Sequence, residues 1–523
     1  MIKKLNIKEH QKHNVKLPFK FNNIEELFFS KLTKNKKKYF LFFPEEDSKL
    51  TFSEFFIEYS KLKNILINKN IKKGDKISII FYNGSQFIKL YFAILAIGAV
   101  AVPINPDLSP TEIEFIVQNS ESKMIIFSNR VQNKIKKIKK SKLQKFKEYS
   151  KLLKHSSKEY KYPKVKLDDI AVIIYTSGTT GNPKGVVINH LNILADSYAI
   201  SKNFKFTNKT RTLCVLPLFH NNGQIATFFA PLYNGGSTVI TYGKTNIYNF
   251  WNYVKSYKVT WTSVMASILS ILLSMPKKKQ NNSLKAILCG GQVLTREIHN
   301  KFEAKFSVPI FEGYGLTETT SFSCINRYPK NKRVFGSIGK ELITNEMDIL
   351  DPKTMAKKKP FEEGEICIKG YNVACNYFKL PKQNSKSFRK GWFKSGDFGW
   401  KDKSRNFFFG GRKDSLIIKG GENIYPSEIE NSIYKIKGVA ECAVIGIPDN
   451  FLGQNICAFI KPKNQIKLTL TNIFSELKNY LGSHKIPKEI ILLDKNSDIK
   501  DIPKGPTKKI LYRKLVEYYE KKS

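Results

Sequence analysis

The segment DIAVIIYTSGTTGNPKGVVINH, residues 169–190, joins an apolar run to a loop rich in glycine, hydroxyl groups and lysine. The apolar run is rich in β-branched residues and predicts a buried strand that ends where the loop begins. Such a loop can bind phosphate, because backbone N–H groups and hydroxyls converge on an anion where no Cβ intervenes. From local features alone, an ordinary surface turn stays open as the alternative, since Gly, Thr, Asn and Pro are common turn residues.

The spacing of this loop excludes the best-known phosphate loop. A Walker loop requires G-x-x-x-x-G-K-[ST]. Counting from Gly178, the sixth position is Pro183, and Lys184 is followed by Gly185. The P-loop NTPase interpretation is therefore rejected, and anion binding by another class of protein is retained.

The charge balance raises the hypothesis of a nucleic-acid partner. The 523 residues, 41% of them hydrophobic, predict a globular protein, and 89 Lys and Arg against 44 Asp and Glu give a net charge of +45. Only nine of the basic residues are Arg, and the lysines are spread along the whole chain. Specific nucleic-acid recognition uses Arg forks in a concentrated patch. We therefore expect no specific nucleic-acid partner and interpret the densest lysine run, residues 133–166, as a solvated helix and linker.

Cysteine usage and hydropathy predict the compartment. The seven cysteines form no C-x-x-C pair and several lie in apolar runs, which predicts buried free thiols and not disulfides or a metal site. The N-terminus lacks the apolar region of a signal peptide. The longest apolar stretch, residues 91–104, is shorter than the roughly 20 residues that span a bilayer. We expect a cytoplasmic protein without a transmembrane segment.

The order of apolar runs predicts an α/β fold. Short β-branched runs alternate with amphipathic stretches, which indicates layered α/β subdomains with a largely parallel sheet. Short strands separated by glycine, from about 335 to 411, are typical of a small β-barrel-like unit. From Ser427 the pattern describes a compact α+β module. The predicted organisation is an N-terminal domain over residues 1–411, a hinge at 412–414 and a small C-terminal domain over 415–523.

Five further segments carry polar residues in glycine-containing turns. Each one singly is more often structural than catalytic. They are PLFHNNGQ (217–224), FEGYGLTETT (311–320), GWFKSGDFGW (391–400), GGRKDSLIIKGGENIYPSEIE (410–430) and IPKGPTKKI (502–510). Together with the intact pattern [YF]-T-S-G-T-T-G-x-P-K-G, and in this order from about residue 20 to residue 515, they resemble the adenylate-forming, or AMP-binding, superfamily. The segment KDSLIIKGGENIYPSEIE is most similar to its acyl-CoA synthetase branch.

The resemblance implies an enzyme, an AMP-forming acid:CoA ligase. Such a ligase converts a carboxylic acid and ATP to acyl-AMP and pyrophosphate with Mg²⁺, and then transfers the acyl group to the thiol of CoA. It also implies a mobile C-terminal lid domain. The alternative within the same chemistry is a stand-alone ligase that loads the phosphopantetheine of a carrier protein, although no carrier motif follows Ser523. The alternative of another class is a non-enzymatic basic nucleic-acid-binding protein, which predicts salt-sensitive affinity and no acid-dependent pyrophosphate release.

The resemblance also implies roles for individual residues in binding ATP. The β- and γ-phosphates would be bound by the loop and its lysine: Thr176, Ser177, Gly178, Thr179, Thr180, Gly181 and Lys184. Glu318 would bind Mg²⁺, with Thr176 as a further metal contact, and Thr317 would donate to the α-phosphate. The adenine would lie on Tyr314 in a pocket completed by Gly290, Gly291, Glu312, Gly313 and Gly315. Asp397 and Arg412 would contact the ribose.

The remaining implied roles concern the acid, the lysine of the first half-reaction and the second active site. Lys509 would bridge the carboxylate and the α-phosphate, although Lys508 stands where the family has glycine. Asp414 matches the hinge, Gly420 and Gly421 the CoA tunnel, and His220 the gate of the acid pocket. Asn221, Asn222 and Gln292 suit a short or polar acid, whereas Phe228 and Phe229 suit an alkyl chain, and we favour a short or medium chain. The sequence leaves both a monomer and a homodimer open.

Overall fold

The protein is described by a computed structural model that covers most of the chain. The described residues are 5–18, 21–138, 145–152, 162–176, 183–242, 247–276, 283–292, 294–412, 415–420, 422–463, 466, 468–493, 499–504 and 510–522. Contacts divide the chain into two compact units: Met1–Gly291, Lys305–Met347 and Cys367–Lys394 form the first, and Gln292–Ala304, Asp348–Ile366 and Ser395–Ser523 form the second. The predicted boundary at 412–414 stays a prediction, because residues 413 and 414 lie outside the described residues.

Helices and strands alternate through most of the chain, as the sequence predicts. The helices are α1 (Ile24–Asn35), α2 (Phe52–Asn68), α3 (Ser85–Ala96), α4 (Pro110–Asn119), α5 (Gln132–Ile135), α6 (Tyr149–Leu152), α7 (His190–Asn203), α8 (Asn221–Gln224), α9 (Ala230–Tyr233), α10 (Phe250–Ser256), α11 (Ala266–Ser274), α12 (Arg296–Phe306), α13 (Pro381–Ser387), α14 (Pro426–Ile433), α15 (Leu470–Lys478) and α16 (Tyr512–Lys522). The strands of the first two sheets are β1 (Tyr39–Phe43), β2 (Ser48–Thr51), β3 (Lys76–Ile80), β4 (Val100–Ile104), β5 (Met124–Phe127), β6 (Lys145–Glu148), β7 (Ile170–Thr176), β8 (Lys184–Asn189), β9 (Arg211–Cys214), β10 (Ser237–Ile240), β11 (Trp261–Val264), β12 (Ala286–Cys289), β13 (Ile310–Tyr314), β14 (Cys324–Ile325) and β15 (Lys340–Glu341), with β18 below. The later strands are β16 (Asn345–Leu350), β17 (Gly364–Gly370), β18 (Asn376–Tyr377), β19 (Phe388–Arg389), β20 (Trp392–Lys401), β21 (Phe407–Arg412), β22 (Ile417–Lys419), β23 (Glu422–Ile424), β24 (Val439–Asp449), β25 (Gly453–Pro462) and β26 (Glu489–Leu492).

Two mixed sheets form the layered part of the fold. Over the described residues, one sheet has the order β18-β8-β7-β4-β3-β5-β6, and the other has the order β15-β14-β13-β12-β11-β9-β10-β1-β2. The inner pairs, such as β3 with β4 and β12 with β13, are parallel, whereas β7 with β8 and β13 with β14 are antiparallel. The prediction of a largely parallel α/β fold is confirmed.

The lysine-rich run contains a strand that the sequence does not predict. Strand β6 pairs in parallel with β5 at the edge of its sheet, with Met124 opposite Lys145 and Phe127 opposite Glu148. Tyr149 and Leu152 in α6 are buried. The interpretation of residues 133–166 as a solvated helix and linker is therefore wrong for 145–152. Lysines are tolerated here because a charged edge strand discourages pairing with other chains.

Capping residues define where the helices around the sheets begin. Helix α4 starts with Ser109 as its N-cap and Pro110 at the first position. The carboxylate of Glu112 accepts the backbone N–H of Ser109, which completes a capping box. Helix α7 starts with a reciprocal pair, in which the side chains of Asn189 and Asn192 each accept the other's backbone N–H at 2.9 Å. Asn192 is fully buried, and while its oxygen caps the helix its NH₂ group donates to the carbonyls of Tyr371 and Val373.

Phe228 and Phe229 belong to the aromatic core and not to an exposed pocket wall. Both are fully buried, with the Phe228 ring 5.6 Å from Phe40 and the Phe229 ring 6.3 Å from Tyr91, measured between centroids. Their side chains therefore pack against other aromatic rings. The expectation that these two residues suit an alkyl chain is wrong.

The later part of the chain forms two smaller sheets. In the described residues, one has the order β16-β17-β20-β19 with β21 paired to β20, and this is the predicted small unit of short strands. The other has the order β23-β22-β25-β24 with β26 paired to β25, and with α14, α15 and α16 it forms the predicted α+β module. All seven cysteines are free and six are buried, as predicted. None of the described helices has the length and apolarity that crossing a bilayer requires.

Candidate active site

The predicted phosphate loop connects two paired strands. Thr176 is the last residue of β7 and Lys184 is the first residue of β8, and the two are direct partners in the antiparallel pair. The hydroxyl of Thr176 donates to the carbonyl of Lys184 at 3.5 Å. The strand register therefore holds Thr176 and Lys184 side by side. The other predicted phosphate ligands lie outside the described residues: Ser177, Gly178, Thr179, Thr180 and Gly181.

The turn that carries Glu318 lies beside the same strands. A short 3-10 helix, Thr317–Thr319, follows β13 and contains both Thr317 and Glu318. The hydroxyl of Tyr377 donates to Oε1 of Glu318 at 2.8 Å. The ammonium of Lys184 lies 5.8 Å from the centroid of the Tyr377 ring. The structure therefore brings the predicted metal ligand and the predicted phosphate lysine to the same tyrosine, a residue that sequence reasoning missed.

The residue after this turn has a strained backbone. Thr320 has a φ of +65° and a ψ of −59°, a γ-turn conformation that is rare and strained, and the N–H of Ser321 donates across it to the carbonyl of Thr319 at 2.7 Å. Its hydroxyl donates to the carbonyl of Asn372 at 2.6 Å, and the amide of Asn221 donates to the carbonyl of Thr320. Asn372 is fully buried and donates in turn to the carbonyl of Phe322 at 3.1 Å. Side chains from two other segments therefore stabilise the strained end of the Glu318 turn.

A buried carboxyl group supports the same turn from helix α7. Asp196 is fully buried, and its Oδ2 accepts the backbone N–H of Phe322 at 3.2 Å. Burial raises the pKa of Asp196 well above its ordinary value, and the backbone bonds only partly oppose that rise. Asp196 thus links the middle of α7 to the backbone just beyond Glu318.

Three of the predicted adenine-site glycines have a packing reason of their own. A Cβ on Gly290 or Gly313 would lie 2.6 or 2.8 Å from the ring of Phe322, and one on Gly315 would lie 1.8 Å from the carbonyl oxygen of Ser321. Glycine is needed at these positions for close backbone approach. The ends of β12 and β13 lie side by side, with Cys289 of β12 paired to Glu312 of β13. Gly291 follows the end of β12, and the ring of Tyr314 is buried at the end of β13.

His220 lies at the start of helix α8, as its N-cap residue. Its ring centroid is 4.7 Å from that of Phe219, and its backbone N–H donates to Pro217 at 3.1 Å. The next residue, Asn221, reaches the carbonyls of Thr317 and Thr320. His220 therefore lies one residue from a direct link to the Glu318 turn, and its role as a gate stays a prediction.

The predicted ribose ligands lie together in the second unit. Asp397 of β20 and Arg412 of β21 are direct partners in an antiparallel pair, and Nε of Arg412 is 3.1 Å from Oδ1 of Asp397. Asp397 is buried, whereas the Arg412 side chain is 39% exposed. The hydroxyl of Ser395 accepts the backbone N–H of Asp397 at 3.0 Å. The pairing of a buried carboxylate with an accessible guanidinium is established, and their contact with a ribose stays a prediction.

Several predicted residues of the C-terminal module lie outside the described residues: Asp414, Gly421, Lys508 and Lys509. Gly420 is described, and its φ of +59° is sufficient reason for glycine there. Its N–H donates to the carbonyl of Leu452 at 2.9 Å. The segment before Lys509 pairs with the segment after it through a bridge between Lys504 and Ile510.

The donor set beside Lys184 suits a hard divalent cation. Glu318 offers a half-buried carboxylate, and Thr176 offers a hydroxyl. Across the described residues, no group of three or more His, Cys, Asp and Glu side chains converges. Mg²⁺ is commonly held by one or two carboxylates together with substrate phosphates and water, and not by a full protein cage. One carboxylate beside a phosphate loop therefore fits Mg²⁺ that arrives with a nucleotide.

Comparisons with known proteins agree with this geometry. The family of AMP-binding enzymes matches residues 28–378, and the AMP-binding enzyme C-terminal domain matches residues 428–507. Sulfoacetate–CoA ligase of Cupriavidus necator is 28% identical over 96% of this chain and 99% of its own length, and 2-succinylbenzoate–CoA ligase of Bacillus subtilis is 30% identical over 90% and 93%. The solved structure of o-succinylbenzoate coenzyme A synthetase (MenE) from Bacillus subtilis in complex with ATP and magnesium ion has a TM-score of 0.84 at 27% identity, covering 94% of this chain and 99% of that one. The chain therefore belongs to the AMP-binding enzyme family, in its acid:CoA ligase branch.

Proposed function

We propose that the protein is an AMP-forming acid:CoA ligase for a short, polar carboxylic acid, using ATP, Mg²⁺ and CoA. The observation that carries the proposal is the convergence of Lys184 and Glu318 on Tyr377, beside the strand ends that border the phosphate loop. A nucleoside triphosphate with its Mg²⁺ is bound by a cationic side chain, a carboxylate for the metal and a loop of backbone N–H donors. The free thiols of the chain support a reducing, cytoplasmic location.

In the first half-reaction, a carboxylate oxygen of the acid attacks the α-phosphorus of ATP, and the bond to the β-phosphate oxygen breaks to release pyrophosphate. Lys184 and the loop it follows would bind the leaving pyrophosphate, while Thr317 would donate to the α-phosphate. Glu318 and Thr176 would hold Mg²⁺, which neutralises phosphate charge. Lys509 would bridge the two reacting anions. Mutual repulsion of these anions is the main barrier that such cationic groups lower.

In the second half-reaction, the thiol of CoA attacks the carbonyl carbon of the acyl-adenylate, and AMP leaves. A glycine pair at Gly420 and Gly421 would leave room for the pantetheine arm. Asp414 would lie at the hinge on which the C-terminal domain turns between the two half-reactions. The matched C-terminal family domain, residues 428–507, supports this division of labour.

The preference for a short, polar acid rests on the segment that starts at His220. Its two phenylalanines are packed in the core, which removes the main argument for an alkyl chain. Oδ1 of Asn222 is buried, and none of the described residues donates a hydrogen bond to it. A buried amide oxygen without a partner is costly unless a ligand or water satisfies it, and a carboxamide can rotate to present either its oxygen or its NH₂ group. The relative named for sulfoacetate, a short and charged acid, supports the same choice.

A screen for acid-dependent pyrophosphate release tests the proposal. We expect release from ATP and Mg²⁺ with one or a few short, polar acids, and little release with long alkyl acids. The thioester product is then followed with CoA and, separately, with a phosphopantetheinylated carrier protein. Absence of acid-dependent release with every acid would reject the ligase function, and thioester only on the carrier would move the acceptor to the alternative.

Substitution of Lys509 tests the role of the C-terminal lysine. Lys509→Ala should lower acid-dependent pyrophosphate release by at least about 100-fold, because it removes a charge needed in the adenylation transition state. Thioester formation from synthetic acyl-AMP should be spared. Lys508→Ala is the matched control, with adenylation close to wild type. Equal loss of both half-reactions in Lys509→Ala would contradict the assigned role.

A further inference from the structure

A short segment, residues 371–378, joins the phosphate-loop strand to the Glu318 turn. Its strand β18 pairs with β8, with Tyr377 opposite Val186, and the N–H of Phe378 donates to the carbonyl of Gly185 at 2.7 Å. Gly185 directly follows Lys184 in the sequence. The position of Tyr377 is therefore set by the same strand that carries the phosphate lysine.

The same segment holds Glu318 at two points. The N–H of Ala374 donates to the backbone carbonyl of Glu318 at 2.8 Å, and the hydroxyl of Tyr377 donates to its Oε1 at 2.8 Å. Among the described residues none donates to the other carboxylate oxygen, Oε2. One hydrogen bond from a fixed hydroxyl leaves a carboxylate oriented, with its second oxygen available to a cation.

Tyr377 is itself firmly placed. The side chain of Asn384 in α13 accepts the N–H of Tyr377 at 2.7 Å and donates to its carbonyl at 2.9 Å, so that one amide satisfies both backbone groups. The Tyr377 side chain is buried, with 6% of the residue exposed. The hydroxyl is buried, and two hydrogen bonds hold the backbone of Tyr377 in place. The side chain therefore has little freedom to turn away from Glu318.

The other end of the segment is fixed by residues from distant parts of the chain. Asn192 donates to the carbonyls of Tyr371 and Val373 at 2.7 and 2.9 Å, and Gln11 donates to the carbonyl of Val373 at 3.0 Å. Nε2 of His10 lies 2.9 Å from the carbonyl oxygen of Ala374. Each of these contacts involves a buried side chain. The segment is therefore supported along its length and not only at Tyr377.

We propose that Tyr377 is a positioning residue that orients the Glu318 carboxylate for Mg²⁺ and ties that orientation to the phosphate-loop strand. The proposal rests on the proposed function, in which Glu318 binds Mg²⁺. A hydrogen-bond partner of a metal ligand fixes the geometry of that ligand, and its loss typically costs about 10- to 100-fold in metal affinity. Removal of the Tyr377 hydroxyl alone should therefore lower the affinity for Mg²⁺, while the ring near Lys184 stays in place.

Calorimetric ATP binding in Mg²⁺ and in EDTA tests the proposal on the full-length chain. Tyr377→Phe removes the hydroxyl and keeps the ring. We expect it to reduce the Mg²⁺-dependent gain in ATP affinity by about 10-fold and to leave affinity in EDTA unchanged. The matched control is Tyr371→Phe, which removes a hydroxyl from the same segment, one that donates to the carbonyl of His13 at 2.6 Å and does not touch Glu318.

A double-mutant cycle with Glu318→Gln separates positioning from general support. In the Glu318→Gln background, Tyr377→Phe should cause no further loss of the Mg²⁺-dependent gain, because the partner is already changed. The proposal is overturned if Tyr377→Phe keeps the wild-type gain, or if affinity falls equally in Mg²⁺ and EDTA. Should Tyr377→Phe fail to fold, Asn384→Ala, which loosens the Tyr377 backbone, is judged by the same two outcomes. Loss of acid-dependent pyrophosphate release in the wild type would instead reject the ligase function, since ATP binding is measured without an acid.

Discussion

At the scale of single residues, Asn222 offers the most direct handle on the acid. Asn222→Leu replaces a half-buried amide, whose Oδ1 is buried, with an apolar side chain of similar size, so a polar acid would lose its proposed hydrogen-bonding partner. We expect kcat/KM for the best polar acid to fall by about 10-fold or more, while the value for an alkyl acid of similar length is kept or raised. The measurement is pyrophosphate release with paired acids. Asn234→Leu, in the same segment, is the control, and an unchanged ratio in Asn222→Leu would remove this residue from the acid site.

The residue scale also shows where sequence reasoning succeeds and where it fails. Thr176, Lys184 and Glu318 lie in local patterns of glycine and hydroxyl residues, so the sequence alone predicts them. Tyr377 has no such pattern. Its importance comes from two contacts with segments that are remote in the chain, and the fold alone creates these contacts. The sequence also cannot place Phe228, because an apolar residue in a pocket wall and one in the core give the same sequence pattern.

At the scale of elements, helix α14 of the C-terminal module contains a carboxyl group that titrates near neutrality. Oε1 of Glu430 accepts the N–H of Val444 at 2.9 Å and the hydroxyl of Tyr512 at 3.0 Å. Burial raises the pKa of Glu430 from 4.5 to about 7, and the two hydrogen bonds oppose that rise only in part. Glu430 thus joins α14 to β24 and to the first turn of α16.

This carboxyl group predicts a pH dependence of stability. A folded-state pKa above the unfolded value means that the native state binds more protons, so the contribution is fully present below about pH 4.5 and is lost as the pH rises through about 7. Glu430→Gln should therefore flatten the fall of the module's free energy of unfolding across this window. The measurement is hydrogen exchange of the Val444 amide at several pH values. Glu428→Gln, which only removes the contact with Lys485, should keep the wild-type slope.

The element scale also separates what the sequence predicts of the fold from what it misses. Strands β3, β4, β5, β9 and β12 coincide with short apolar runs, because a parallel strand that is covered on both faces needs apolar residues on both of them. The sequence does not predict strand β6, because KFKE has a single apolar residue among charged ones and so shows no apolar run. The N-terminal residues His10 and Gln11 gave no signal at all, since their bonds to the 371–378 segment depend on tertiary structure.

At the scale of the whole molecule, the net charge of +45 acts on every anionic substrate. A strongly positive protein attracts ATP and CoA before contact, and salt screens this attraction over about 10 Å at 0.1 M ionic strength. We expect kcat/KM for CoA to fall several-fold between about 10 mM and about 300 mM salt. Pantetheine, which lacks the phosphates of CoA, is the control acceptor and should show little salt dependence. An equal fall for both acceptors would point to an effect of salt on the protein itself.

The burial of the cysteines has a consequence for an enzyme that makes thioesters. An acyl-adenylate reacts with any accessible thiolate, including one on the protein that made it. Burial raises the pKa of Cys214 and Cys457 to about 12 and that of Cys375 to about 11, so these thiols stay protonated at neutral pH. These cysteines therefore have little capacity for self-acylation. Among thiols, the acyl group would pass to the incoming acceptor and not to these buried positions of the enzyme.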